Sequence, residues 1–544
     1  MLVIGILVLL LYSSYNSIHW DELKNIYRIS GIIVLYTIIL LYNSTDIIYM
    51  GKSLVLFNDL LVITPYSVYI KILLLVITIL YIISKNEYMK LNNCYGDAGK
   101  YSLNYSDYII IILFNVLGMC IFIESYNTIL IYIAIELQSY SLYIITSRYN
   151  NSYYSSKSGL IYFLLGSLAS IIILIGLVIL YSVTGLTNLY DISIYLNTID
   201  QINSIGIDYK VILGYLLILI GLLFKIGVAP FHNWIINIYV NVPTIVTLWI
   251  SLVTKISILT FIYNILHNTP FLFNMIGAEY NTGISSLNII YILSILSVLC
   301  MCIGGIGGVS QIGIKRVIAY SGLANTGYML YTIIANNQLT LQAYIFNISQ
   351  YSLTHINWFL ILLITIIYKA IYNNISYNKD SNITLNNGNS NYLAKLNDIF
   401  GYIVMNPYMS FSYIVTLASL IGIPPLLGFY GKYYMIISGI YSGYLFSSIV
   451  LIFVSGITTY YYSYILNILT LNLFNKGNNA TTGFANIVKL YSSQYNNVKN
   501  QVVILSYLIC YTISIITFAT LFPLLLLDIY TNGSIILDFY QYTI

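Results

Sequence analysis

An all-α polytopic membrane protein with about fourteen transmembrane helices is the fold class the sequence predicts, and three observations predict it. Of 544 residues, 59% are hydrophobic and only 7% are charged, whereas soluble domains carry roughly 25% charged residues. Apolar runs of about 20 residues, long enough to cross a bilayer core, recur along the whole chain with no interval sized for a soluble domain. Lysine and arginine are also split very unevenly between alternate loops, as positive-inside topology requires.

Taken in order, hydropathy predicts spans at 2–16, 30–49, 66–84, 108–125, 127–146, 159–182, 211–237, 243–266, 288–306, 314–335, 340–368, 411–440, 442–470 and 502–527. The first, in "MLVIGILVLLLYSSY", has no basic segment before it and no small-residue cleavage site, so it is expected to be retained as a span. Polar interruptions at "KNEYMKLNNCYGDAGK" and "SRYNNSYYSSKSG", and the Asn-rich stretches at 372–400 and 475–500, read as loops. With the first loop placed inward, fifteen of the 21 lysines and arginines fall in inner loops, and only Lys52 and Lys210 in outer ones. An even number of spans with both termini outside follows.

Four ionisable residues lie well inside these spans: Glu136, Lys225, Lys255 and Lys432. Each costs about 2.5–3.5 kcal/mol at a helix centre, and together they cost on the order of 10 kcal/mol, too much to be incidental. One static ion pair would account for Glu136 and one lysine but leave two lysines without partners. Lys71 is different, since it lies near a span end where its head can snorkel to the interface. Glu124 falls at an outer turn and reads as solvated.

Two of the spans should be broken. "LLFKIGVAPFHNW" puts Pro230 five residues after Lys225, and "IGIPPLLGFYGKYYM" puts Pro424 and Pro425 just before Lys432. Proline removes a backbone donor and clashes with the preceding turn, and broken backbone at membrane depth must line protein or a wet cavity. These are the seventh and twelfth spans, the fourth members of two five-helix sets. Broken helices in corresponding places point to inverted repeats with a transport site between them. The expected organisation is three N-terminal helices over 1–107, a first repeat over 108–266, a second, inverted repeat over 288–470, and a polar loop with a last helix over 471–544.

Lysine suits a proton path because desolvation lowers its proton affinity while a nearby carboxylate raises it. Movement of Glu136 relative to Lys225 would switch that lysine between holding and releasing a proton. Other chemistries find little footing. The five cysteines form no CxxC pair, Cys300 and Cys302 sit in an apolar run as buried small hydrophobes, and the four histidines are too scattered for haem or zinc. His232 at the first break reads equally as a tuning group or as a ring bonded to backbone. No dinucleotide fingerprint or phosphate loop is present. Gly304, Gly305, Gly307 and Gly308 cluster inside a span, where they should let helices pack closely.

The segments "IELQSYSLY", "GLIYFLLGSLAS", "LLFKIGVAPFHNW", "KRVIAYSGLANTGY", "IGIPPLLGFYGK" and "TTYYYSYI" occur in an order that resembles chain 2 of NADH:ubiquinone oxidoreductase, respiratory complex I, over about residues 55–470. The 59 tyrosines and only three arginines, Arg28, Arg148 and Arg316, resemble the coding of a fungal, mitochondrially encoded member. The resemblance implies an antiporter-like, proton-translocating subunit of the membrane arm, an enzyme only as part of the H+-translocating NADH:ubiquinone reductase. Glu136 then matches the fifth-helix glutamate, Lys225 the lysine of the broken seventh helix, Lys255 the connecting eighth-helix lysine and Lys432 the exit-side lysine of the broken twelfth. Asn325 stands where relatives often carry histidine.

The resemblance further implies a multi-pass protein of the mitochondrial inner membrane with both termini in the intermembrane space. It implies no cofactor in this chain, with FMN, iron–sulfur clusters and ubiquinone in other subunits. Implied partners are the other membrane-arm subunits, including the sister antiporter-like chain 4, and lipids such as cardiolipin; nucleic acid is not among them. Two further readings stay open: a stand-alone cation/proton antiporter of the same fold, and a structural scaffold with vestigial charges.

Overall fold

The computed structural model describes residues 1–15, 20–48, 54–95, 105–149, 152–202, 209–268, 289–335, 338–377, 396, 407–470 and 505–517. Almost all of them are helical. The chain opens with α1 (Leu2–Tyr15) and α2 (Trp20–Ile48), then a short hairpin of β1 (Leu54–Leu56) and β2 (Leu61–Ile63) with Leu54 opposite Ile63. There follow α3 (Pro65–Tyr95), α4 (Tyr105–Glu124), α5 (Thr128–Ser147), α6 (Tyr153–Thr184), α7 (Leu189–Ile202), α8 (Tyr209–Ile226), α9 (Asn233–Asn241) and α10 (Thr244–Asn268). The second half holds α11 (Ile289–Val309), α12 (Ile314–Ile334), α13 (Gln338–Tyr377), α14 (Pro407–Ile421), α15 (Leu427–Tyr441) and α16 (Leu445–Thr470). A last apolar helix, α17, spans Leu505–Thr517.

Among the described residues, eight helices are long and apolar enough to cross a membrane, and α1, α14 and α17 are shorter apolar helices. A multi-pass membrane protein follows. Helix α10 is the hub: residues 244–263 are all buried by protein. Helices α2, α6 and α16 bury well under half of their apolar stretches and present Leu, Ile, Phe and Tyr outward, as lipid-facing or subunit-facing helices do.

The glycine cluster of α11 is a packing surface. A Cβ at Gly304 would come 2.4 Å from the Ala324 backbone nitrogen, one at Gly307 would meet the Tyr320 ring, and one at Gly308 the Tyr461 ring. The small-residue stripe therefore seats α11 directly on α12 and α16.

Three features were not expected from the sequence. Helix α7 is amphipathic and short of a span's length, so hydropathy passes over it. The β1–β2 hairpin lies between the spans predicted at 30–49 and 66–84. Lys85, assigned above to a loop, instead sits on α3, fully buried, donating to the Tyr149 hydroxyl at 2.7 Å and lying 4.2 Å from the centre of the Tyr108 ring. The Asn-rich stretches expected at 372–400 and 475–500 lie almost wholly outside the described residues, as do both ends of the span expected at 502–527.

Candidate functional site

The site begins at α5. Asn127 caps this helix by accepting from the Ile129 amide, and its side chain also donates to Thr187 and Asn188. That pinned start sets Glu136 about 12 Å along the helix axis. Opposite it, Lys225 occupies the last turn of α8, where the unbonded carbonyls of a helix C-terminus favour a cation. The Lys225 Nζ stands 3.3 Å from Glu136 Oε1, with both side chains largely buried. Beside them is a cavity of about 20 Å³, lined in part by Gln138, Ser139, Tyr143, Trp234 and Thr254. That volume holds about one water, and the lining offers it several hydrogen-bonding groups.

Immediately after Lys225 the helix stops. Gly227 takes φ of +72°, which favours glycine, and Pro230 supplies no amide; α9 begins at Asn233. One amide set free here finds an unusual acceptor. Ala229 N donates to the Sγ of Cys300 on α11 at 3.0 Å, so Cys300 is more than the small hydrophobe the sequence suggests. His232 Nδ1 lies 3.2 Å from the Pro230 carbonyl, within hydrogen-bond distance of the backbone.

A similar arrangement surrounds Lys432. Helix α14 stops at Ile421, Gly422 takes φ of +89°, and α15 begins at Leu427 beyond Pro424 and Pro425. The Lys432 ammonium turns back and donates to the Ile421 carbonyl at 2.7 Å. It therefore completes the C-terminus of α14.

Lys255, on the buried hub α10, donates to the Gly322 carbonyl at 2.9 Å and lies 3.5 Å from the Tyr351 hydroxyl. It has backbone and phenol partners where Lys225 has a carboxylate. Its neighbours Thr254 and Ile258 line the Lys225 cavity. On its other side Tyr351 of α13 adjoins Gln350, which reaches Gly428 and Gly431 beside Lys432. Helix α13 thus lies between Lys255 and the Lys432 helix.

Two groups on α13 escaped the sequence reading. His355 is buried with its ring 4.1 Å from that of Tyr351, and neither ring nitrogen has a hydrogen-bond partner among the described residues. Asn357 is buried with both amide atoms equally unsatisfied. Orphaned polar atoms at this depth are costly unless water or a mobile proton serves them. Weighing the histidines only as metal or haem ligands hid His355; the general rule that an ionisable residue inside a span is functional would have flagged it.

Lys71 and Glu124 require correction. Lys71 does not snorkel and Glu124 is not solvated: each is only 6% exposed, and their side chains form an ion pair between α3 and α4. Each lies near a span end when the sequence is read alone. The packing of α3, α4 and the hairpin closes that end over both.

Among the described residues, no group of three or more His, Cys, Asp or Glu lies together as a metal site would require.

Residues 125–460 match the family described as NADH:quinone oxidoreductase/Mrp antiporter, transmembrane. The chain is 33% identical over 479 residues to the NADH-ubiquinone oxidoreductase chain 2 of Rhizopus oryzae, covering 86% of this chain and 85% of that one. In fold it is similar to a chain of respiratory complex I from Thermus thermophilus solved with bound aureothin, with a TM-score of 0.65 and 20% identity over 97% of both chains. It is also similar to a chain of the Mrp complex from a Dietzia species, with a TM-score of 0.71 and 16% identity over 98% of this chain and 95% of that one.

Proposed function

Because the chain belongs to the NADH-ubiquinone oxidoreductase chain 2 family, the antiporter-like membrane-arm subunits of mitochondrial-type complex I, we propose that it carries protons along Glu136, Lys225, Lys255 and Lys432. The observation that carries this reading is the Lys225–Glu136 pair at the end of an interrupted helix, beside a cavity with room for water. While Glu136 stands close, Lys225 holds its proton; when it withdraws, the desolvated lysine releases that proton toward Lys255. Lys255, held by a carbonyl and a phenol, passes it along α13, where His355 extends the set, to Lys432 at the second break.

In this reading α8 with α9, and α14 with α15, are the two halves of broken spans seven and twelve, giving fourteen spans in all. The repeats over 108–266 and 288–470 are inverted relative to one another, with 1–107 and 471–544 flanking them. The protein sits in the mitochondrial inner membrane with both termini in the intermembrane space. It meets the other membrane-arm subunits, the sister chain 4 among them, and lipids such as cardiolipin. Its own chemistry is proton transfer, and the FMN, iron–sulfur and ubiquinone steps belong to other subunits.

Glu136→Gln keeps the side-chain size and removes the charge that switches Lys225. The expected outcome is normal assembly with NADH:quinone turnover and proton release both strongly reduced; wild-type pumping in this variant would refute the assignment. The fold likeness to a chain of an Mrp complex favours one second reading, a self-standing cation/proton antiporter. That reading requires ion exchange from the purified chain alone in liposomes, where the complex I reading expects none.

A further inference from the structure

The Lys71–Glu124 pair lies outside the path just described, yet it repeats its chemistry. A lysine and a glutamate from adjacent helices meet with both side chains buried. A buried ion pair is weak evidence for a stabilising role, because a well-packed apolar pair commonly does as well or better. Its surroundings suggest another one.

Helix α10, which carries Lys255, runs past the pair: Asn264 Nδ2 donates to the carbonyl of Ile123, the residue before Glu124, at 3.0 Å. Lys255 and Asn264 are about 13 Å apart along the helix axis. That interval carries the buried hydroxyls of Ser257 and Thr260, and buried phenols from three helices cluster at its Asn264 end. Tyr263 on α10 lies 5.1 Å from Tyr66 on α3 and 5.7 Å from Tyr344 on α13, ring centre to ring centre. Tyr66 precedes Ser67, whose hydroxyl reaches the Glu124 carboxylate. On its other side the pair is covered by the hairpin, where the Tyr126 amide donates to the Leu60 carbonyl at 3.1 Å and Leu61 bridges Ser125. The hairpin turn at Phe57, Asn58 and Asp59 is left-handed and exposed. One flank of the pair thus faces the Lys255 seam and the other lies under a small surface cover.

The geometry points to Lys71–Glu124 as a proton-exchange site between Lys255 and the water at this end of the bundle. A proton arriving along the seam bonds to a Glu124 oxygen as the ion pair opens. It leaves to water when the Lys71 ammonium closes on the carboxylate again. The pair's net charge rises from zero to plus one and returns, and no other reactant is needed. This inference rests on the proton-path reading above.

The test is the double variant K71M/E124L in the whole complex, with K225M as the reference. Apolar replacement of both partners removes every titratable group and leaves no uncompensated charge, so a purely structural pair tolerates it. The expected result is normal assembly with the same fractional loss of turnover and proton release as K225M. An assembled K71M/E124L complex that pumps like wild type while K225M fails overturns this site and leaves the main path standing. Wild-type pumping in K225M overturns the path itself and this site with it. Should K71M/E124L not assemble, K71Q/E124Q, which keeps volume and hydrogen bonding, is read in its place. Failure of both to assemble makes the pair a structural clamp and overturns the proposal.

Discussion

Lys255 holds its place because Gly322 has no side chain. A Cβ built on Gly322 would lie 2.9 Å from the Lys255 ammonium and 3.3 Å from the Tyr351 hydroxyl. The flexible end of a lysine gives way more easily than packed backbone, so Gly322→Ala should move the ammonium off the Gly322 carbonyl and leave the fold intact. We expect a normally assembled complex with turnover reduced several-fold. Gly456→Ala, whose added methyl meets nothing within 4 Å, serves as the control and should match wild type. Equal activities would contradict a role for the Lys255 position. At this scale the sequence is most legible where a charge stands alone in an apolar run, as Glu136, Lys225, Lys255 and Lys432 do. It misleads where the partner is remote, since Lys71 and Glu124 are 53 residues apart and each looks ordinary at a span end.

The two helix interruptions are the elements on which the site is built. Proline in an apolar run announces each break, but what the freed backbone bonds to depends on tertiary packing. Cys300 is the case in point: it comes from another helix entirely and accepts the Ala229 amide. Cys300→Ser keeps an acceptor there, whereas Cys300→Val orphans a buried N–H at about 1–3 kcal/mol. The assembled complex should therefore inactivate faster on heating with Val than with Ser, and indistinguishable rates would remove Cys300 from the account. Helix α7 and the hairpin were invisible to hydropathy for the opposite reason: they are too short or too polar to register as spans, although the hairpin covers one end of α4.

Over the whole molecule, the uneven distribution of lysine and arginine is the strongest topological signal. It predicts that the segment between α3 and α4, 96–104, and the loop at 475–501 face the matrix while both termini face the intermembrane space. Protease added to mitoplasts should spare both segments, and cleavage at 475–501 from the outer side would contradict the fourteen-span arrangement. That Lys85 is buried on α3 leaves this bias in place, because it lies at the end of the candidate span Pro65–Asn86, the end the bias predicts to be inner. The central position of α10 was not legible at all. Nothing in "TLWISLVTKISILTFIYNIL" distinguishes a helix enclosed by protein from one facing lipid, apart from Lys255 and the small polar residues around it.

The central claim is that protons cross this chain through lysines seated at two helix breaks, and Lys225→Met with Lys432→Met tests it most directly. Methionine fills a similar volume and removes both the titratable group and the cost of burying a charge. Lys432→Met leaves one backbone carbonyl to be satisfied otherwise, and Lys225→Met leaves Glu136 able to take up a proton, so neither change should prevent assembly. Coupled NADH:quinone turnover and proton release are measured in membranes and normalised to assembled complex. The account predicts a large loss of both quantities in each variant. Wild-type pumping in both variants, with the complex intact, would contradict it and leave the chain a structural element of the membrane arm.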